Sequence, residues 1–346
     1  MSSRYPFPKF DLHLHLDGAI DPKTLMEMAD ERGVDHGCRT YEEFVELAIC
    51  PEDCHSVNEC LTRFELPTRI LQDKASLARS AKELVIRSEA QDLTYIEIRF
   101  APQLHTAKGL SQSDAVDAVI EGIAEGRKTA TRIGVGLILC CMVVGGADLN
   151  RKENIETVEV AKQYLGKGVD AIDLAGAEGI SPFEDFWYIF DLADKYHLPR
   201  TCHAGDSHPA EAVRTAVFDY NSLRVGHGHH VAQDPELVRL CAEAGAFLEI
   251  CLTSNIMCET EPSYEEHPAK QLLDAGLGVT LNTDNPVIFV TDIEKEYDKA
   301  IERCGFTMAD LVRCNINSCR ASFMPNKEKE PILRELIRWL DQYKNA

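Results

Sequence analysis

The stretch from Asp11 to Gly18, Asp-Leu-His-Leu-His-Leu-Asp-Gly, is where potential chemistry concentrates. Polar residues and leucines alternate, so the spacing predicts a strand with Asp11, His13, His15 and Asp17 on one face and Leu12, Leu14 and Leu16 on the other. Burying four polar side chains together is costly unless something coordinates or hydrogen-bonds them, and neutral imidazole is the commonest metal ligand. A His-x-His pair on a strand can also be two half-buried histidines, so the partners further along decide. These are His203 in His-Ala-Gly-Asp, His227 in Val-Gly-His-Gly-His-His and Asp284 in Asn-Thr-Asp-Asn. His13, His15, His203 and Asp284 form a nitrogen-and-oxygen set suited to one zinc ion with room for a water, whose pKa zinc lowers to about 7. His227 is placed to orient or deprotonate that water. Asp206, three residues past His203, is the candidate proton shuttle, with N-capping of the helix expected from Ala210 to Val217 as its competing role. Glu211 is a fallback proton donor, and His229 and His230 are read as loop or helix-start residues.

These residues need a scaffold that brings distant segments to one place. After the opening strand, apolar strand candidates run Tyr95 to Phe100, Val135 to Val143, Ala171 to Leu174, Arg200 to His203, Leu223 to Gly226, Phe247 to Leu252 and Val279 to Asn282. Amphipathic helices alternate with them. Punctuation supports the count: Asp234-Pro235 supplies an N-cap and first-turn proline, and Gly245 stops that helix. Eight strands alternating with helices, without a Gly/Ser-rich linker, predict an α/β fold, a single (β/α)8 TIM-type barrel domain over residues 1–346. A helical insertion from about Pro22 to Gln91 is expected to cover the mouth. Within it Leu61, Phe64, Leu66 and Ile70 recur at helical spacing, read as core packing rather than as the lining of an apolar pocket. His13, His15 and Asp17 end the first strand, Gly176 follows the fourth, His203 ends the fifth, His227 the sixth and Asp284 the eighth. In such barrels the C-terminal strand ends carry the active site.

The net charge of −21 over 346 residues repels phosphate backbones and anionic lipid, which argues against nucleic-acid and membrane partners. No apolar run approaches the ~18 residues of a membrane span, and the first residues do not read as a signal peptide. A soluble, cytoplasmic protein is expected. Thirteen cysteines, an odd number, fit reduced thiols rather than a disulfide framework. Cys50, Cys54, His55 and Cys60 lie close together, but their spacing matches no standard zinc pattern and they are assigned no metal. The sequence leaves the oligomeric state open.

The stretches His-Leu-His-Leu-Asp-Gly-Ala (13–19), Tyr-Ile-Glu-Ile-Arg-Phe-Ala-Pro (95–102), Asp-Leu-Ala-Gly (173–176), His-Ala-Gly (203–205), Val-Gly-His-Gly (225–228) and Leu-Asn-Thr-Asp (281–284) occur in a telling order. With them the chain resembles the adenosine deaminases, zinc aminohydrolases of the amidohydrolase superfamily, nearly from end to end. The resemblance implies hydrolytic deamination of adenosine and 2′-deoxyadenosine to the inosines with release of ammonia. It implies zinc on His13, His15, His203 and Asp284, hydroxide positioned by His227, the ribose 5′-hydroxyl on Asp17 and purine N3 on the Gly176 amide. Two positions depart from the family. Asp206 stands where the family has Glu, retaining the carboxylate on a shorter stem. Asn285 replaces the second Asp of Thr-Asp-Asp-Pro, and an amide donates to purine N7 without first being protonated. A deaminase of free adenine or a modified adenine nucleoside is the alternative within this chemistry; Asp17 favours a nucleoside, because relatives specialised for adenine tend to carry Glu there. A purine-binding homologue attenuated by the shorter Asp206 is the alternative outside it, opposed by the intact ligand set. A two-metal hydrolase would want a bridging group on the fourth strand, which Asp-Leu-Ala-Gly lacks, and no Pro-Cys-x-x-Cys of the tRNA and cytidine deaminases is present.

Overall fold

Eight short parallel strands form the centre of the computed structural model, which describes residues 4–51, 54 and 56–344. They are β1 (Phe10–His15), β2 (Tyr95–Phe100), β3 (Gly134–Val143), β4 (Ala171–Gly176), β5 (Cys202–Ala204), β6 (Arg224–His227), β7 (Phe247–Ile250) and β8 (Gly278–Leu281). Hydrogen bonding groups them into two four-stranded sheets, β1 to β4 and β5 to β8, each in chain order. Two bridges join the halves, Ile172 of β4 with Arg200 before β5, and Leu14 of β1 with Asp284 after β8. At the second seam the His15 amide donates to Asp284 O (2.9 Å) and the Asp284 amide to His13 O (2.8 Å). The fold is the (β/α)8 TIM-type barrel that the alternation of strands and helices predicts. The expected helix punctuation is also present. The Asp234 side chain accepts the Glu236 and Leu237 amides, and Gly245 closes helix Pro235–Ala244 at φ +76°, a conformation open to glycine at little cost.

The opening strand differs from its expected form in two ways. Pairing with β2 slips between Asp11 and Leu14, so β1 carries an irregularity there. Asp11 accordingly faces away from the histidines, lining a separate hollow with Leu14, Arg87 and Thr283 and accepting the Thr283 hydroxyl at 2.5 Å. The strand also stops at His15. Leu16 turns to φ −59°, ψ −48°, and Asp17–Ala19 form a 3-10 turn. Asp17 reaches the rim from this turn and not from the strand face.

Between β1 and β2 run α1 (Pro22–Glu31), α2 (Tyr41–Ala48), α3 (Val57–Leu61), α4 (Glu65–Ile70) and α5 (Lys74–Ala90). Helix α5 lies directly against helix Gln112–Arg127: a Cβ on Gly122 would come within 2.2 Å of Ala78 O, so only glycine allows this approach. The Leu61–Ile70 stripe divides its labour. Leu66 and Ile70 are buried in the main core, whereas Leu61 and Phe64 line the cavity at the barrel mouth, which helical periodicity alone does not distinguish.

Candidate active site

Three imidazoles meet at the C-terminal ends of β1 and β5. Ligand nitrogens of His13, His15 and His203 all lie within 4.8 Å of one another. Asp284 Oδ1 stands 3.4 Å from both His13 Nε2 and His15 Nε2. Ligands held at ~2.0–2.1 Å on a tetrahedral zinc lie about 3.4 Å apart, so this spacing fits such an ion. The ring orientations fit too. His13 Nδ1 faces Glu249 Oε2 at 2.9 Å and His203 Nδ1 faces Asp173 Oδ2 at 3.0 Å, which makes each Nδ1 the donor and leaves the Nε2 lone pair for a ligand. His13 Nε2 is fully buried with no hydrogen-bond partner, an orphaned acceptor of the kind a cation satisfies.

The electrostatics suit the same purpose. Burial pushes the His13 and His15 imidazoles down, His15 well below the usual range, so both are in the neutral, metal-binding form at neutral pH. Burial would raise the Asp284 carboxyl, but His13, His15 and His227 outweigh it and hold Asp284 well below ordinary carboxylates. Ser254 donates to its other oxygen at 2.8 Å. Asp284 and His227 both adopt positive φ, +59° and +60°, strained conformations for side chains of this size that aim them into the mouth from the ends of β8 and β6.

Beneath the histidines the barrel interior holds charge. Arg99 donates to Asp173 (2.9 Å) and to Glu249 (2.7 Å); Arg224 donates to the other oxygen of Glu249 (2.8 Å) and to Glu97 (2.6 Å). Thr201 adds a hydroxyl to Glu249 at 3.0 Å. All five charged residues are at least nine-tenths buried. Sequence alone assigns these residues no role, although Glu97 and Arg99 in Tyr-Ile-Glu-Ile-Arg-Phe, Asp173 in Ala-Ile-Asp-Leu and Glu249 in Phe-Leu-Glu-Ile are charges inside otherwise apolar strands, which is the available signal.

Above the histidines opens a cavity of about 320 Å3. His15, Asp17, Gly176, His203, Asp206, His227, Asp284 and Asn285 all line it, while His13 lies below its floor. Much of the remaining lining is apolar, including Val57, Leu61 and Phe64 of the insertion with Leu104, Met142 and Phe289. Burial, assisted by the charge of Asp284, raises Asp17 to about 6. Asn285 turns Oδ1 under Gly18, where it has no hydrogen-bond partner; a Cβ on Gly18 would fall 1.9 Å from that oxygen.

Asp206 does not cap the helix that follows. That helix, Ala210–Arg214, has Pro209 at its N-cap. Instead Asp206 Oδ1 accepts from Asn255 Nδ2 (2.8 Å) and Thr260 Oγ1 (3.0 Å). Asn255 Nδ2 also lies 3.1 Å from His227 Nδ1, which makes that nitrogen an acceptor and places the His227 proton on Nε2. Glu178, another residue missed from sequence, accepts the amides of Gly205 (2.6 Å), Asp206 (2.9 Å) and Ser207 (2.6 Å) and so fixes the loop bearing Asp206. Glu211 is exposed on its helix and does not line the cavity. His229 and His230 sit in a 3-10 turn; His229 is buried, with Nε2 3.6 Å from Glu261 and Nδ1 3.9 Å from Asp206.

With this geometry in place, similarity to known proteins is extensive. The family model for adenosine deaminase matches residues 8–339. An adenosine deaminase of Haemophilus ducreyi is 37% identical over 329 residues, covering 94% of each chain. Among solved structures, an adenine deaminase from Arthrobacter aurescens superposes with a TM-score of 0.86 at 23% identity, over 96% of this chain and 99% of that one. An amidohydrolase of Burkhoderia ambifaria with bound Zn superposes with a TM-score of 0.86 at 24% identity, over 98% and 93%.

Proposed function

The chain belongs to the adenosine deaminase family of metal-dependent hydrolytic deaminases, and on that footing we propose that it converts adenosine and 2′-deoxyadenosine to inosine and 2′-deoxyinosine, releasing ammonia. The observation that carries this reading is the mixed lining of the cavity, which joins the candidate ligands and proton carriers to apolar side chains suited to a purine ring. In this reading His13, His15, His203 and Asp284 hold one zinc ion, whose Lewis acidity lets water act as a nucleophile near neutral pH.

Each remaining residue has a separate task. His227, with its proton on Nε2, donates to the attacking water and fixes its direction toward purine C6. Asp206 takes one proton from the attacking water and carries it to N1, so that negative charge does not accumulate on the ring as C6 becomes tetrahedral, and then relays the remaining proton of the added hydroxyl to the amine as the C6–N bond breaks. Its grip by Asn255, Thr260 and the Glu178-held loop compensates in placement for the shorter stem. Asn285 donates its amide to N7, the Gly176 amide to N3, and Asp17 receives the ribose 5′-hydroxyl. The thirteen free thiols and the net charge of −21 fit a cytoplasmic role in purine salvage, as an enzyme acting on small molecules without a nucleic-acid or membrane partner.

The direct test follows ultraviolet absorbance as the metal-loaded protein is offered adenosine, 2′-deoxyadenosine and adenine separately. Turnover of both nucleosides, with adenine much slower, is expected. Adenine as the preferred substrate, or no turnover of adenosine, refutes the proposal. Asp17→Ala is expected to reduce nucleoside turnover far more than any residual action on adenine.

A further inference from the structure

Four cysteines that the catalytic reading leaves unused meet beside the cavity. Cys50 precedes α3, Cys54 lies in the stretch between, Cys60 is on α3, and Cys258 follows the distant helix Leu252–Met257. Cys60 Sγ stands 3.1 Å from Cys50 Sγ, 3.1 Å from Cys54 Sγ and 2.9 Å from Cys258 Sγ. The sulfurs of Cys50, Cys54 and Cys60 are mutually within 4.8 Å. None of the four residues is more than 5% exposed, and with Ile288 and Phe289 they form a small core of their own. His55, their neighbour in the sequence, lies outside the described residues.

From this convergence we propose a second metal site, a thiolate centre for a zinc-type divalent cation held by Cys50, Cys54 and Cys60, with Cys258 as fourth ligand. A disulfide gives each sulfur one partner, whereas Cys60 has three. Sulfurs bound at ~2.3 Å to a tetrahedral zinc are about 3.8 Å apart, so seating the ion asks for shifts of about 1 Å outward from Cys60. Soft thiolates select zinc over the hard cations, and Ile288, Phe289, Val57, Phe64 and Met257 pack around the sulfurs, with Cys60 and Cys258 at the edge of the cavity. Without an ion the neighbouring sulfurs and burial hold the Cys50 thiol up, toward its protonated form, so proton loss and ion binding go together. Taken alone, Cys50–x3–Cys54 has the spacing of a zinc-binding pair, although the run from Cys50 to Cys60 as a whole matches no standard pattern. Sequence hid the site because its fourth ligand is nearly two hundred residues away from Cys60.

The ion would tie the insertion, which supplies Val57, Leu61 and Phe64 to the cavity wall, to the segment after β7. The Cys50 amide already ties the insertion to the segment after β8, donating to Ile288 O at 2.8 Å. On binding, each ligating thiol loses its proton to solvent and no redox change occurs.

The full-length chain is produced with cobalt in place of zinc. Two cobalt ions per chain and a thiolate-to-cobalt charge-transfer band in the near ultraviolet are expected; three imidazoles and a carboxylate give no such band. The band should survive His203→Ala, which breaks the catalytic set, and Cys251→Ser, which removes the thiol nearest His13 and His227. It should vanish in Cys50→Ser/Cys54→Ser, with one cobalt retained. A single cobalt and no band in the parent, or a band indifferent to Cys50→Ser/Cys54→Ser, overturns the proposal. Should that variant fail to fold, the parent decides by thiol titration with a chromogenic disulfide. Protection of these cysteines lost on adding chelator supports the site, and equal reactivity with and without chelator overturns it. An intact mass two hydrogens light, reporting a disulfide among them, overturns it as well.

Discussion

Glu249→Gln separates the support of the metal site from the stability of the barrel. Glu249 stands between two guanidinium groups and His13: Oε2 takes His13 Nδ1 (2.9 Å) and Arg99 (2.7 Å), and Oε1 takes Arg224 (2.8 Å) and Thr201 (3.0 Å). Removing one partner of a buried ion pair usually costs ~3–5 kcal/mol because a charge is left alone. Here Arg99 keeps Asp173 and Arg224 keeps Glu97, so neither is orphaned. The expected loss is therefore nearer that of one or two hydrogen bonds to charged groups, about 2–3 kcal/mol. The effect at the metal is distinct. An amide in place of the carboxylate no longer holds the His13 proton on Nδ1 as strongly, and loss of such a partner typically lowers metal affinity ~10–100-fold. Glu97→Gln is the control, since Glu97 pairs with Arg224 but touches no imidazole. Urea unfolding of the metal-free proteins and chelator competition for zinc measure the two effects separately. Both variants should lose comparable stability, and only Glu249→Gln should lose affinity. Unchanged zinc affinity in a folded Glu249→Gln chain would refute the reasoning.

Asp206→Ala is expected to lower kcat ~10²–10⁴-fold with metal content intact, while Glu211→Ala, on an exposed helix face, leaves turnover unchanged; steady-state kinetics on adenosine check both. If Asn285 donates to N7, replacing that nitrogen with carbon in a competitive inhibitor should weaken inhibition by about 1–3 kcal/mol, and equal inhibition would place the amide elsewhere. Asp170, at the start of β4, has its carboxyl raised to about 6 by burial, with Glu97 adding to it. Its folded value lies above the unfolded ~3.9, so its contribution to stability is complete at low pH and is lost as pH rises through 6. Asp170→Asn can still accept the Leu137 amide (3.0 Å in the parent) and should gain on the parent between pH 4 and 6, by at most about 3 kcal/mol above that, read from urea unfolding at several pH values.

The barrel was legible because each strand carries its own short apolar signal, and strand ends collect residues that a core rejects. The same local patterning misled at β1. Alternation from Asp11 to Asp17 continues across a pairing irregularity and past the strand end, since a side-chain pattern does not record where main-chain hydrogen bonding slips or stops. Of the residues around the site, those inside strands were discoverable as misplaced charges, Glu249 and Asp173 among them. Glu178 was not: a carboxylate in a loop looks like surface until the amides of Gly205 to Ser207 are known to face it. Cys258 joins Cys60 only through the closed barrel, so no local spacing announces it.

The seam between β1 and β8 sets an order of events for the folding chain. His13 and His15 belong to the half of the barrel made first, and His203 and Asp284 to the half made last, with Asp284 contributing the main-chain bonds that join the two ends. With the ligand set proposed above, a nascent chain that has not yet delivered its eighth strand would have an incomplete grip on a cation, however well its first half is formed. Capture of the ion and completion of the ring would then be one event, and loss of the ion and opening of the ring would begin at the same place, a joint held by the main-chain bonds of Asp284.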